Sequence, residues 1–239
     1  MNLKEATVFV TGGNRGLGLA FAKEALQRGA RKVYVGVRDP ESFNLDLPGL
    51  HVIKIDVTDP TSIRRAVNLC ADVNILVNNA GIVRLLDGAL DPALIEQSKE
   101  IFDTNYYGVI RTTQAFAAVL ESNSPSAIVN VISDAAWVSV PILAAYAASK
   151  HAVWSFTNAL RIQVKPSNIE VLALHVGFLD TDMTAAVDVP KSDPNIVAAA
   201  TWDALGRGAC EYLGDSGTKV IKESLSSEVA AYLNPSVPF

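Results

Sequence analysis

Short, nearly all-apolar runs alternate along this chain with longer stretches whose apolar residues recur at helical spacing. The runs at 7–11, 32–37, 51–55, 73–77, 127–132 and 170–176 read as strands, and 219–222 reads as a last short strand. Leu19, Ala22 and Leu26 mark a first helix that stops at Gly29. Further helical stretches cover 61–70, 94–120, 146–164 (closed by Pro166) and about 195–213. Strands without polar alternation need cover on both faces, and strands alternating with helices build a parallel sheet. The pattern predicts an α/β fold: one doubly wound, Rossmann-type parallel sheet in a single domain over 1–239, with a substrate lid at about 178–205. No Pro/Ser/Gly-rich linker or internal repeat divides the chain.

Sheets of this kind bind ligands beyond the carboxyl ends of their strands. The polar clusters lie there, after the first, fourth, fifth and sixth strands. The first is Thr11-Gly12-Gly13-Asn14-Arg15-Gly16-Leu17-Gly18, between a strand and a helix. Glycines let backbone approach a pyrophosphate, and a helix N-terminus offers free N–H groups and partial positive charge. A dinucleotide fingerprint usually has an acid at the end of the second strand to bond the ribose. Val37 occupies that position here and Arg38 follows it. With Arg15 in the turn, Arg38 can clamp a 2′-phosphate by charge-assisted bonds, which favours NADPH over NADH; the alternative is a solvated surface charge. Asp39 either pairs with Arg38 or turns away into the loop.

The second constellation is Ser133, Tyr146 and Lys150. Tyr146 and Lys150 are four apart on a helix and share a face, while Ser133 ends the fifth strand. A nearby ammonium favours a phenolate, so the pair can deliver a proton near neutral pH. A serine hydroxyl can hold the same substrate oxygen. Taken alone, a Tyr-x-x-x-Lys pair reads as an aromatic and a solvated lysine; its order with the glycine turn and Ser133 argues for hydride-transfer chemistry.

Composition narrows the class. Hydrophobic residues make up 49% and charged residues 19%, so the chain can bury a core. The net charge of −5 and the absence of basic runs argue against a nucleic-acid surface. Cys70 and Cys210 read as free buried thiols, and His51, His151 and His175 have no metal-binding spacing. No leader pattern or membrane-length apolar stretch is seen, making a cytoplasmic protein the default.

In combination these motifs resemble the short-chain dehydrogenase/reductase family, in its order over about residues 6–185. Thr11–Gly18 resembles its cofactor turn. Asp56-Val57 resembles the pair beside the adenine, and Asn78-Asn79-Ala80-Gly81 the motif that stabilises the sheet beside the adenosine ribose. Asn105 matches the asparagine that holds a water in the proton relay. Ser133, Tyr146 and Lys150 match the catalytic serine, tyrosine and lysine, the lysine also bonding the nicotinamide ribose. Gly177 and Thr181 match the segment contacting the nicotinamide. Arg15 and Arg38 resemble the NADP-preferring, carbonyl-reductase type. Val176 stands where the family often has proline, and Asp134 follows the serine. The resemblance also implies a homodimer or homotetramer formed through the helices at 94–120 and 146–164.

The resulting expectation is an NADPH-dependent oxidoreductase that reversibly reduces a ketone or aldehyde, with Tyr146 as general acid. Trp137, Ile142 and Phe178 are candidate pocket residues, or ordinary packing. Met183, Ala185, Ala186 and Val187 in the lid suggest an apolar substrate. Two other readings stand beside it: an NAD-linked alcohol dehydrogenase, and a non-enzymatic dinucleotide sensor on the same fold.

Overall fold

In the computed structural model, which describes residues 1–235, the apolar runs form one parallel sheet. Its strands are β1 (Thr7–Thr11), β2 (Lys32–Val37), β3 (Leu50–Lys54), β4 (Ile75–Asn78), β5 (Ser126–Val131), β6 (Ile169–His175) and β7 (Glu211–Leu213). The helices are α1 (Gly16–Gln27), α2 (Pro60–Leu69), α3 (Leu94–Phe102), α4 (Gly108–Ser122), α5 (Ala144–Gln163), α6 (Pro194–Gly206) and α7 (Ser216–Ser224). The strand order is β3-β2-β1-β4-β5-β6-β7.

Successive strand residues point to opposite faces, and each face has its own core. Val8 and Val10 of β1 pack with Phe21 of α1 and Trp202 of α6. Phe9, between them, packs on the other side with Ile63 of α2, Phe116 of α4 and Leu160 of α5. This double cover explains why the strands lack polar alternation.

The winding direction reverses between β1 and β4, so their carboxyl ends diverge and leave a crevice. Buried polar groups hold that point. Thr11 Oγ1 accepts the N–H groups of Asn79 (2.9 Å) and Ala80 (3.0 Å), while Asn79 Nδ2 donates to the carbonyls of Thr11 and Gly12, both at 3.0 Å. Deeper in, Asn78 Nδ2 donates to Thr113 Oγ1 and Asn130 Oδ1, and Asn130 Nδ2 to Thr157 Oγ1. These bonds tie β4 and β5 to α4 and α5 within the buried interior.

Several expected elements shift. The helix expected to reach 213 ends at Gly206, and β7 follows. β7 is a short edge strand recruited by pairing with β6 (Ala173 opposite Glu211), which local periodicity does not encode. The stretch 219–222 lies inside α7. Asp215 caps that helix by accepting the Thr218 N–H at 2.8 Å, so the cap overrides the β-branched run. The 94–120 region is interrupted at Asp103–Tyr107 by a π-helical turn. Part of the expected lid is core: α6, capped by Asp193, buries Val197, Ala198, Thr201 and Trp202 against the α1 side of the sheet. Residues 178–193 remain as a loop, pinned where the Ser192 N–H donates to the Phe178 carbonyl (2.9 Å) and Asp180 N–H to the Ser192 carbonyl (3.0 Å). Cys70 is buried, which pushes its thiol up to about 12, but Cys210 is exposed. No described helix is long and apolar enough to cross a membrane.

Candidate active site

The crevice between β1 and β4 opens into a cleft of about 940 Å³. Its lining includes Gly12, Asn14, Arg15, Gly16, Leu17, Gly18, Arg38, Asp56, Val57, Asn79, Ala80 and Gly81 at one end, and Ser133, Tyr146, Lys150, Gly177 and Thr181 at the other. The two constellations read from the sequence therefore meet in one space.

The dinucleotide end suits an anion. Gly12 (φ +62°) and Gly16 (φ +51°) take left-handed conformations that side chains resist. A Cβ at Gly12 would lie 3.1 Å from Ala80 Cα, and one at Gly18 only 2.3 Å from the Gly12 carbonyl oxygen. The α1 N-terminus has no side-chain cap and no acid in its first turn, so its leading N–H groups remain available to a phosphate. These features fit a nicotinamide dinucleotide. Asp56 is held below the usual carboxylate range: burial raises it, but the Thr58 N–H and hydroxyl and the Arg38 charge prevail.

The two arginines differ. Arg15 Nη1 forms an exposed pair with Asp182 Oδ2 at 2.9 Å. The loop thus supplies Arg15 with an anionic partner from 167 residues away in sequence. Exposed pairs of this kind are weak. Asp39 accepts the Glu41 N–H at 3.2 Å rather than pairing with Arg38, and both residues border the cleft.

At the other end, Ser133 follows β5 in extended backbone (φ −172°). Its Oγ accepts the Ala135 N–H at 3.1 Å and donates to Asp134 Oδ1 at 3.0 Å. Tyr146 and Lys150 project from the first turns of α5. Lys150 is buried and donates to the Val131 carbonyl at 3.0 Å; its Nζ is 5.7 Å from the Tyr146 ring centroid. Burial lowers Lys150 to about 8. Burial also raises Tyr146 to about 12, with a Ser133 hydrogen bond pulling down and the Asp134 charge pushing up. This corrects the expected lowering of the phenol: the ammonium bonds a carbonyl rather than the hydroxyl, so desolvation dominates.

Asn105 sits buried in the π-helical turn, at a helix irregularity of the kind often found near functional sites. Its carboxamide accepts the Ile82 N–H (2.8 Å) and donates to the Ile82 carbonyl (2.9 Å) and Ser149 Oγ (3.1 Å). It thereby fixes the irregular segment following Gly81.

Among the candidate pocket residues, Phe178 lines the cleft, as do Leu85, Leu143, Met183, Ala186 and Val187. Trp137 does not. It is buried behind the serine, stacked on His175 with centroids 4.0 Å apart, because the turn at Asp134–Ala136 directs it inward. Ile142 is also outside the lining: its turn is held by its own carbonyl accepting the Leu86 N–H (3.1 Å), and the next residue, Leu143, faces the cleft. His175 is fully buried, its Nδ1 3.1 Å from the Ser133 carbonyl, and burial lowers it to about 4. It is neutral and supports the strand end. Asp134, next to the serine, also borders the cleft. Only its position immediately after Ser133 could have drawn attention to it. Among the described residues no cluster of His, Cys, Asp or Glu could hold a metal.

A family model described as short chain dehydrogenase matches residues 6–191. Dehydrogenase/reductase SDR family member 7B from Rattus norvegicus is 31% identical, over 89% of this chain and 70% of its own. A short chain dehydrogenase from Burkholderia cenocepacia J2315, solved in complex with NADP, has a TM-score of 0.91 at 33% identity and covers 95% of each chain. A 3-ketoacyl-(acyl-carrier-protein) reductase from Brucella melitensis, complexed with NADH, has a TM-score of 0.78 at 25% identity, over 89% of this chain and 98% of its own. With residues 6–191, most of the chain, matched by the family model onto a parallel sheet with its cleft at the switch point, this chain belongs to the short chain dehydrogenase family of oxidoreductases.

Proposed function

We propose that the protein is an NADPH-dependent reductase of ketones or aldehydes, reversible in principle, with Tyr146 as general acid. The carrying observation is that one cleft joins an uncapped helix N-terminus in a glycine turn to Ser133, Tyr146 and Lys150. The turn at 12–18, with Asp56, Val57, Asn79, Ala80 and Gly81, would hold the dinucleotide, and Gly177 and Thr181 would border its nicotinamide. When bound, the cofactor supplies the hydride. The protein's part is to place and polarise the carbonyl. Ser133 and Tyr146 would take the carbonyl oxygen between them, and Tyr146 would release its proton as negative charge develops there. Lys150, lowered to about 8, exchanges protons near neutrality and can restore the phenol. Asn105 holds the adjoining backbone in place, with a water relay as its proposed further role. Leu85, Leu143, Phe178, Met183, Ala186 and Val187 favour an apolar substrate body, and the 178–193 loop would serve as its lid.

The Burkholderia cenocepacia structure with NADP belongs to a protein 33% identical to this one, and Arg38 bordering the cleft supports the same preference here. The Arg15–Asp182 pair favours a second reading, an NAD-linked alcohol dehydrogenase, because it engages one half of the expected clamp. Initial rates with NADPH and NADH over a panel of aldehydes, ketones and diketones separate the two. Faster turnover with NADPH is expected; an NADH preference rejects the clamp, and tight binding without turnover turns the reading into a sensor. Tyr146→Phe should abolish turnover while preserving NADPH binding, and near-normal turnover would reject the assignment.

A further inference from the structure

Asp134 adds an acid to the serine end of the cleft. Its Oδ1 accepts the Ser133 hydroxyl at 3.0 Å. Its Oδ2 lies against Gly177, where a Cβ would come within 3.0 Å of it and 3.5 Å of Asp215 Oδ2. Gly177 thus leaves room for two carboxyl groups. Asp215 is well supplied with donors: the Gly177 N–H (2.8 Å) and Thr218 hydroxyl (2.7 Å) at Oδ2, and the Thr218 N–H (2.8 Å) at Oδ1. Of two carboxyl groups sharing a site, the one with fewer donors is harder to ionise.

A serine hydroxyl has a single proton. While that proton is donated to Asp134, Ser133 presents only lone pairs to an incoming carbonyl oxygen, which also offers only lone pairs. A protonated Asp134 can donate to Ser133 Oγ instead and free the serine proton for the substrate. We propose that Asp134 is a positioning residue that sets the hydrogen-bond polarity of Ser133: protonated, it turns the serine into a donor for a substrate carbonyl, and ionised, it withholds that donor. The inference rests on the reductase reading of the same site.

The surroundings are consistent with such a switch. Burial, with Asp215 adding charge repulsion, raises Asp134 to about 6 against the pull of the Ser133 hydrogen bond. The other ionisable groups on elements packed around this turn are Tyr146, Lys150 and His151 on α5, His175 on β6, Glu211 on β7 and Lys222 on α7. Lys150 is engaged with the Val131 carbonyl, His151 with the Ala136 carbonyl, and Lys222 with Glu211 and the Trp137 ring. His175 is neutral near pH 6, and Tyr146 ionises far above it.

The test pairs kinetics with a direct titration. The pH dependence of kcat/KM for carbonyl reduction is measured for the wild type, Asp134→Asn and Asp134→Ala, and the carboxyl carbons of 13C-aspartate-labelled protein are titrated by NMR without substrate. The wild type should lose about tenfold in kcat/KM between pH 6 and pH 8. Both variants should be flat over that range, and one carboxyl resonance titrating near pH 6 should vanish in Asp134→Asn. An unchanged pH limb in variants that remain folded over this range overturns the proposal, as does an Asp134 resonance titrating in the ordinary carboxylate range. Should that resonance titrate near pH 6 while no carbonyl is reduced with either cofactor, the reductase reading falls, and the use assigned to Asp134 falls with it.

Discussion

Replacing Gly18 with alanine tests the glycine turn by geometry. The added methyl would stand 2.3 Å from the Gly12 carbonyl oxygen and 2.5 Å from Asn79 Nδ2. Neither neighbour can yield freely, since the first is backbone and the second donates to both Thr11 and Gly12. Relief requires moving the first turn of α1 by roughly 1 Å or releasing the Asn79 bonds. Overpacking of this kind costs about 1–3 kcal/mol, and two lost hydrogen bonds about 1 kcal/mol each, so a loss of about 3 kcal/mol in unfolding free energy is expected. The displaced N–H groups are those proposed to receive the pyrophosphate, and a misplacement of about 1 Å can cost roughly 100-fold in function. Urea unfolding read by tryptophan fluorescence, with NADPH and NADH titrations, measures both effects. Gly206→Ala serves as the control: its nearest neighbour is the Met1 carbonyl oxygen at 3.6 Å, so stability and binding should hold. A Gly18→Ala protein within about 0.5 kcal/mol of the wild type, binding dinucleotide normally, would refute the reasoning.

Three further outcomes are expected. Trp202, 2% exposed and edge-on to Phe21 at 5.2 Å, anchors α6, so Trp202→Ala should cost about 3–5 kcal/mol in urea unfolding; a loss of substrate affinity without destabilisation would mean that α6 acts as a lid. Arg38→Ala should weaken NADPH binding about tenfold to a hundredfold while sparing NADH, and Arg15→Ala should do less because Arg15 already pairs with Asp182; equal losses for both cofactors would dismiss the clamp. Asp134 sits above its ordinary 3.8, at about 6. Its contribution is thus intact below pH 4 and lost as the pH rises through 6, so Asp134→Asn should gain stability relative to the wild type between pH 4 and pH 8, by up to about 3 kcal/mol. A relative loss over that range in paired urea titrations would contradict the sign.

The sequence by itself determined the features carried by local chemistry. Runs such as Thr7–Thr11 and Lys32–Val37 are apolar at every position or nearly so, and that pattern alone demands a doubly covered parallel sheet. The glycine spacing at 12–18 and the four-residue step from Tyr146 to Lys150 were equally legible, because turn geometry and helix faces depend on near neighbours. Tertiary structure decided where a side chain points once distant segments meet. Trp137 and Asp134 lie three residues apart in one turn, yet Trp137 packs on His175 and Asp134 borders the cleft. β7 exists because β6 offers an edge, and Arg15 has a partner because the 178–193 loop returns Asp182 to the glycine turn. The direction in which Tyr146 titrates was also beyond the sequence. The lysine four residues away predicts a lowered phenol, but burial raises it, and burial is a property of the whole packed fold rather than of any local spacing.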